Sequence, residues 1–408
     1  MLALPLAIDL EKAMSIEGTI SPELASRRKW EAVVIGAGPS GAMTAHQLAR
    51  RGISTLLVDR ATFPRSKVCG CCLNGNALAA LGQAGLDSIL TQEGAVPLHT
   101  LHLQSGSSQA RLKLPQGRAL SRSTFDCRLI EAGIRRGVAF LPRCQAVPLP
   151  GSDHESTRKV RLKLAEQEQA VSTNIVIVAD GLGSPSLRSL GQAEETRLGN
   201  SRIGLGVVIP SAEHFYEPGV IYMTCGPQGY LGLVRLEDGN LDLAAAVDPL
   251  QIRSAHGSNR IMESLLRRAN WPVPQELPLA KIRGTPLLTR TTRHVSGHRF
   301  FVVGDATGYV EPFTGEGMAW GLTSAISLAE MASDAVKNWS PRMAQSWHHH
   351  HACHVRPRQR WCRLLTGMLR HQGLTSVLVK TLGLFPGLSN PVVRHLNITP
   401  FRLMERFG

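Results

Sequence analysis

Residue types able to do chemistry gather at a few places in this 408-residue chain. Gly36, Gly38 and Gly41 form a GxGxxG, and Asp59 ends the next apolar run. Asp180-Gly181 and Gly304-Asp305 end two later runs, and Cys69-Gly-Cys-Cys72 is a cluster of thiols. The glycine spacing is that of a phosphate cradle: Gly36 permits a tight turn, Gly38 lets a pyrophosphate approach the backbone, and Gly41 lets a helix pack closely on a strand. Asp59 lies near the ~20-residue spacing at which a carboxylate accepts hydrogen bonds from an adenosine ribose. Cys69 and Cys72 have CxxC spacing, which leaves open a redox-active pair, a thiol beside a redox cofactor, or buried structural cysteines. A zinc site would need a second ligand pair at matching spacing, and none is evident.

These groups act together only if the chain delivers them to one place. An apolar run from Val33 stops at Gly36, a helical pattern runs from Ser40 to Arg51, and a second strand pattern spans Ile53 to Asp59. Strand, glycine turn, helix and acid-ended strand are the order of a dinucleotide site, with free N–H groups at the helix start facing the phosphates. Buried strand patterns at Asn174 to Gly181 and Arg299 to Asp305 carry the other two acid–glycine pairs to strand ends. Parallel strands of a doubly wound sheet bring such ends to one crevice. Between them, Asn76 to Leu81 and Ser121 to Ala132 read as helices, Leu98 to Gln104 and Gln109 to Leu114 alternate like a half-buried antiparallel pair, and Val138 to Leu141 is a short strand.

Ile203 to Ile209, Val220 to Thr224, Tyr230 to Leu236 and Leu241 to Val247 follow one another without intervening helices, as an antiparallel sheet would. A long helix is expected from about Glu316 to Lys337. The expected fold is α/β: a Rossmann-like domain made of residues 29–95, 121–198 and 291–340, substrate-side strands at 96–120, an inserted antiparallel domain at 199–290, a leader at 1–28 and a basic helical region at 341–408.

Lys+Arg of 45 against Asp+Glu of 31 gives a formal charge of +14, which suits anionic partners: nucleotide phosphates, an acidic membrane surface or nucleic acid. No nucleic-acid module is visible, so nucleic acid is excluded from the expected partners. Eight irregularly spaced cysteines make no disulfide scaffold and suit a reducing cytoplasm. The apolar start, Met1 to Leu10, lacks a basic n-region and a cleavage site. No window has the ~18 uninterrupted apolar residues of a membrane span. Four consecutive helical histidines, His348 to His351, point around the whole helix and cannot converge on one ion; His350 and His354, one turn apart, form the only candidate pair, and no metal is expected. The apolar-basic stretch from Trp361 to Leu384 reads either as core packing or as a membrane-surface helix that helps a greasy substrate enter.

The ordered set of glycine turn, strand-end acid, Asp-Gly and Gly-Asp resembles the FAD-binding flavoproteins of the glutathione-reductase-like class, in the branch holding aromatic hydroxylases, flavin halogenases and geranylgeranyl reductases. The resemblance spans about residues 30 to 340. It implies FAD, held at Gly36, Gly38, Pro39, Ser40 and Gly41 by its pyrophosphate and at Asp59 and Arg60 by its adenosine end. Arg122, at a helix start, matches an arginine placed at the cofactor, and Asp180 and Gly181 match the DG motif, with Arg188 one position later than the commonest pattern. Gly304 and Asp305 match the ribityl site, and the turn Pro312, Thr314, Gly315, Glu316, Gly317 and Met318 matches the flavin pyrimidine site, where a helix N-terminus stabilises the negative charge of reduced flavin.

Within that branch the chain lacks the halogenase lysine and Trp-rich motif, and it has Gly308 where many hydroxylases place a histidine. It is more similar to geranylgeranyl reductases in Cys69-Gly-Cys-Cys-Leu73 and in Pro312 to Gly317, which implies that Cys69 lies beside the isoalloxazine and is catalytic. It departs from them at Gly229 to Leu236, which lacks their aromatic Phe-Pro-Lys motif and points to a different lipophilic substrate. The expected activity is FAD-dependent reduction of carbon–carbon double bonds in an isoprenoid-like small molecule. Hydroxylation of an aromatic or polyketide-type substrate with NAD(P)H and O2 is the alternative, and an electron-transfer flavoprotein the second. With no second nucleotide domain, NAD(P)H would bind transiently at the flavin. The expected location is cytoplasmic, with peripheral contact at a membrane surface; the sequence does not speak to oligomeric state.

Overall fold

The computed structural model describes residues 15–192, 195–197, 201–255, 257–311 and 313–397, with the backbone alone for 195–197. The chain opens with β1 (Lys29–Ile35), α1 (Pro39–Arg50) and β2 (Thr55–Val58). There follow α2 (Gly75–Ala84), β3 (Thr100–Ser105), β4 (Ser108–Lys113), α3 (Arg122–Arg135), β5 (Ala139–Leu141) and β6 (Gln167–Val178). A second group of strands comprises β7 (Ile203–Ile209), β8 (Val220–Gly226), β9 (Gly229–Arg235), β10 (Leu241–Val247) and, beyond α4 (Ser258–Arg268), β11 (Arg283–Leu287). The chain then returns through β12 (Phe300–Val302) to α5 (Gly317–Lys337), α6 (Pro341–His354), α7 (Arg356–Met368), α8 (Gln372–Leu384) and α9 (Asn390–Asn397).

Helix ends follow local chemistry. Asn74 caps α2 by accepting the Ala77 N–H at 3.1 Å, and Gly85, at φ 71°, stops it. Ser121 caps α3 through the Thr124 N–H at 3.2 Å. The first sheet has a parallel core, β12-β6-β1-β2-β5, with three further strands added antiparallel, so Gly36, Asp59, Asp180 and Asp305 follow strand ends along one edge. Its strands are buried on both faces, as a parallel sheet covered by helices must be.

The second sheet has the order β11-β7-β10-β9-β8-β3-β4. It is antiparallel except where β8 pairs with β3 in parallel, Tyr222 beside His102. The early pair β3–β4 thus extends the sheet formed by the late strands. One face packs under α4, whose Ile261, Met262, Leu265 and Leu266 are buried with Tyr222, Leu231, Leu233 and Leu243. The sequence reading had no helix there. Strand alternation sends the other set, Tyr230, Gly232, Val234, Asp242, Ala244 and Ala246, to the opposite face. Among the described residues no helix is long and apolar enough to cross a membrane.

Candidate active site

The three glycines of the first turn have different surroundings. Gly36 sits at φ 105°, and a Cβ there would run into the Ala179 carbonyl; a Cβ on Gly41 would run into the Gly36 carbonyl. Both are needed for the chain to pass. Gly38 has ordinary backbone, and a Cβ would meet only the Arg65 guanidinium at 3.3 Å, so its bareness serves the space in front of it. Gly38 is also the N-cap of α1, with no side-chain cap, and Pro39 follows, so the Ser40 and Gly41 amides have no capping side chain. Asp59 accepts the Ala37 N–H at 2.7 Å and the Ala61 N–H at 2.8 Å and pairs with Arg65 at 3.3 Å. Its carboxylate therefore fixes the turn before any ligand is considered. Arg60, beside it, is exposed and lines the same cavity.

Across the crevice, one Asp180 oxygen accepts the Ser186 N–H at 2.9 Å while Oδ1 is buried with no partner. Burial raises the Asp180 pKa. Gly181 takes φ 77°, and Arg188 turns back to the Gly183 carbonyl at 2.7 Å, away from the main cavity. Gly304, at φ 70°, lies against Ser40, which also fills the space beside Gly321, so this one small side chain locks α1 to the loop after β12. Burial raises the Asp305 pKa against the opposing pull of Lys67 and Arg122. Gly315 takes φ 67°, and the N-terminus of α5 at Gly317 has no side-chain cap. Met318 lines the cavity from the first turn of α5. The Glu316 carboxylate, by contrast, faces Thr314 Oγ1 at 3.0 Å and Trp320 Nε1 at 3.3 Å, so only its backbone belongs to the turn. Pro312 lies outside the described residues.

The cysteine loop closes the site from the side. The thiol that engages Cys69 is Cys71, not the CxxC partner Cys72. The Cys71 hydrogen bond and the Arg122 cation hold the Cys69 thiol well below its ordinary pKa of 9.0, while burial drives Cys72 upward. Arg122 is itself anchored to the buried Asp126. Facing this loop from β10 is Asp242, only 3% exposed, whose Oδ2 has no partner. Burial, with the Cys69 charge next, raises its pKa well above the ordinary carboxylate value of 3.8, which favours the protonated form. Farther along the same face Tyr230, 4% exposed, has a hydroxyl without a partner and packs edge-on against Phe313 at 5.3 Å. Asp242 lies opposite Val234, four residues from Tyr230, so the backbone positions of the two residues are offset by roughly 13 Å along the strands. The sequence reading missed both; the signal was a lone Asp in Leu-Asp-Leu-Ala-Ala-Ala-Val.

Gly38, Asp59, Cys69, Arg122, Asp180, Tyr230, Asp242 and Asp305 line one cavity of about 1310 Å³. Its floor is narrow-chained, Gly232, Ala244 and Ala246, and its far wall is aliphatic, including Leu365, Leu378 and Leu382 of α7 and α8. The C-terminal helices also brace the loop between β12 and α5: Gln359 donates to the Gly308 carbonyl at 3.2 Å, and Arg370 and Arg202 share Glu311 at 2.6 and 3.4 Å. The histidine tract lies apart. His350 stacks on His354 at 4.3 Å, and burial lowers the pKa of His350 to about 4. Among the described residues no group of three or more metal-ligating side chains occurs.

A model of the FAD binding domain family matches residues 29–350. Menaquinone reductase of Mycobacterium tuberculosis is 28% identical over 334 residues, 78% of this chain and 80% of that protein. The 6-methylpretetramide 4-monooxygenase of Streptomyces rimosus is 26% identical over 327 residues, 75% of this chain and 56% of that protein. In fold, the p-nitrophenol 4-monooxygenase of Pseudomonas putida superposes with a TM-score of 0.74 at 16% identity, over 91% of this chain and 99% of that one. With an α/β sheet carrying the glycine turn, and a model match over most of its length, the chain belongs to the FAD binding domain family and is an FAD-dependent oxidoreductase.

Proposed function

We propose that the protein reduces a carbon–carbon double bond of an isoprenoid-like lipophile, such as the side chain of a prenylated quinone, with electrons that NAD(P)H or another carrier delivers through FAD. The cradle fits that cofactor. The bare Gly38 and the Ser40 and Gly41 amides would take the pyrophosphate, with Asp59 and Arg60 at the adenosine end. The unpartnered Asp180 Oδ1 and the buried Asp305 await hydroxyl donors, which the ribityl chain offers. Gly315 and the uncapped amides at Gly317 would face the flavin pyrimidine edge. When bound, FAD supplies a hydride equivalent.

The observation that carries the reading is Asp242, a buried acid with an unpartnered Oδ2 and a pKa raised by burial, at the polar end of an apolar cavity. Saturating a double bond takes a hydride and a proton. Asp242 delivers the proton to the substrate carbon, is left as a carboxylate in the field of Arg122, and recovers a proton from solvent; the donor leaves as NAD(P)⁺. Cys69, with its depressed pKa, tightens the choice, because a thiolate is readily oxidised by activated oxygen and is poorly suited to a hydroxylase centre. Its role in the reading is to hold charge opposite the acid. The likeness to the menaquinone reductase agrees with a prenylated substrate.

Hydroxylation with O2 and NAD(P)H is the second reading, favoured by the sequence likeness to the 6-methylpretetramide 4-monooxygenase named above. The two are separated by incubating FAD-loaded protein with NADPH and a prenylated naphthoquinone, with and without air, and weighing the product. After any quinol has been reoxidised in air, a gain of two hydrogens retained in the prenyl chain, formed without O2, is expected. Gain of one oxygen, in air only, overturns the reductase reading, and electrons passed only to an acidic carrier protein would mark an electron-transfer flavoprotein.

A further inference from the structure

The helices that roof the cavity are inverted relative to an ordinary surface. Cys362, Leu369, Thr375 and Val379 are buried on their inner sides, yet the outer sides are apolar too. Trp361, Leu364 and Met368 recur at i, i+3 and i+7 on α7, and Leu374 and Val377 continue on α8. Trp361 and, just past α8, Phe385 are each 62% exposed. Scattered exposed apolar residues need no explanation, but this is a run on consecutive helices.

Charge completes the pattern. Between residues 341 and 397 the sequence has no Asp or Glu, while Arg360, Lys380 and Arg394 stand exposed among the apolar side chains. A basic amphipathic surface with aromatic residues is the composition that lies in the headgroup region of an anionic bilayer. A second copy of the chain would set these like charges against each other, and nothing acidic on the patch would relieve them. Finally, Met368, Leu374, Leu388 and Val392 are both exposed and part of the cavity lining, so the cavity that reaches Asp242 opens through this same patch.

We propose that α7, α8 and α9 form an anionic-membrane docking face through which a lipophilic substrate enters the cavity directly from the bilayer. The substrate half of this statement rests on the reading above; the docking half does not. Apolar side chains of Trp361, Leu364 and Phe385 enter the acyl boundary, and Arg360, Lys380 and Arg394 meet lipid phosphates. The cavity mouth is then sealed by lipid, and a prenyl chain reaches Asp242 without crossing water.

The test is flotation of FAD-loaded protein with vesicles of phosphatidylcholine alone or mixed with phosphatidylglycerol. Binding is expected only with phosphatidylglycerol, weakening as salt is raised, and falling roughly tenfold or more in Arg360→Glu/Lys380→Glu and in Trp361→Ser/Leu364→Ser/Phe385→Ser. Retained flavin absorbance and unchanged turnover of a short-chain, water-soluble substrate analogue show that each variant is folded. No flotation with the anionic vesicles, equal flotation of the variants, or a dimer that only the triple variant dissolves would overturn the proposal, the last by showing that a second copy covers the face. Vesicle binding needs no turnover, so it fails or succeeds independently of the reduction.

Discussion

Arg122 grips Asp126 one turn along α3 through two charge-assisted hydrogen bonds, Nε to Oδ1 at 2.8 Å and Nη2 to Oδ2 at 2.9 Å. Both side chains are buried, and a second cation, Arg65, lies 3.5 Å from Asp126. Arg122→Met leaves a buried carboxylate poorly compensated and is expected to cost about 3–5 kcal/mol. Arg122→Lys keeps the charge but not the fork and falls between. Urea unfolding of the three proteins measures this; a lysine variant as stable as wild type would refute the bidentate role.

The same guanidinium faces Cys69, which links stability to reactivity. Cys69 is held below its ordinary pKa of 9.0 by the Cys71 thiol and Arg122, whereas burial pushes Cys225 up to about 12. In a background where the exposed Cys353 is replaced by Ser, iodoacetamide at neutral pH is expected to label Cys69 first. The sign follows from the depressed pKa: the stabilisation from the thiolate is full above 9.0 and is lost as pH falls through the lower folded value. A labelling midpoint at or above 9.0, or loss of the low midpoint in Cys71→Ala failing to occur, would remove the thiol pair from the account.

What the sequence disclosed depended on how local the signal was. Gly36, Gly38, Gly41 and Asp59 were legible because their spacing is local: the turn between strand and helix forces glycine at Gly36 and Gly41, Gly38 keeps clear the space in front of it, and Asp59 ends the next strand. Asp242 and Tyr230 were not, because period-two alternation identifies a strand without saying which face meets a cavity, and that is decided by α4 covering the other side. The CxxC spacing suggested Cys69 with Cys72, but Cys71 adopts φ 51° and turns its thiol to Cys69 while Cys72 enters a short strand. The sequence places Glu316 in the turn through its backbone but does not show that its carboxylate reaches Trp320 one turn on.

The glycine turn separates folding from ligand binding. Gly36→Ala combines a φ of 105° with a backbone collision and is expected to cost more than ~2 kcal/mol. Gly38→Val meets only the movable end of Arg65, costs no more than about 1 kcal/mol as a poorer N-cap, and still removes the yellow colour. Thermal melts beside visible spectra of the purified variants decide it, and a Gly38→Val protein with stoichiometric FAD would sink the pyrophosphate assignment.

Asp242→Asn tests the proton donor against a merely structural carboxyl. The amide keeps the shape and the capacity to donate a hydrogen bond but cannot release a proton, so FAD content should stay stoichiometric while product formation falls by about 100-fold or more. Stability should move the other way. Asp242 holds its proton in the folded chain well above 3.8, where the unfolded chain has lost it, so its contribution is full below 3.8 and declines as pH rises. The decline is about 1.4 kcal/mol per pH unit until the folded pKa is passed. The asparagine variant escapes that loss and should become the more stable protein between acid and neutral pH, whether or not the side chain takes part in turnover. A structural carboxyl would reproduce the stability trend and leave turnover intact, so the pair of measurements assigns Asp242 to one role or the other.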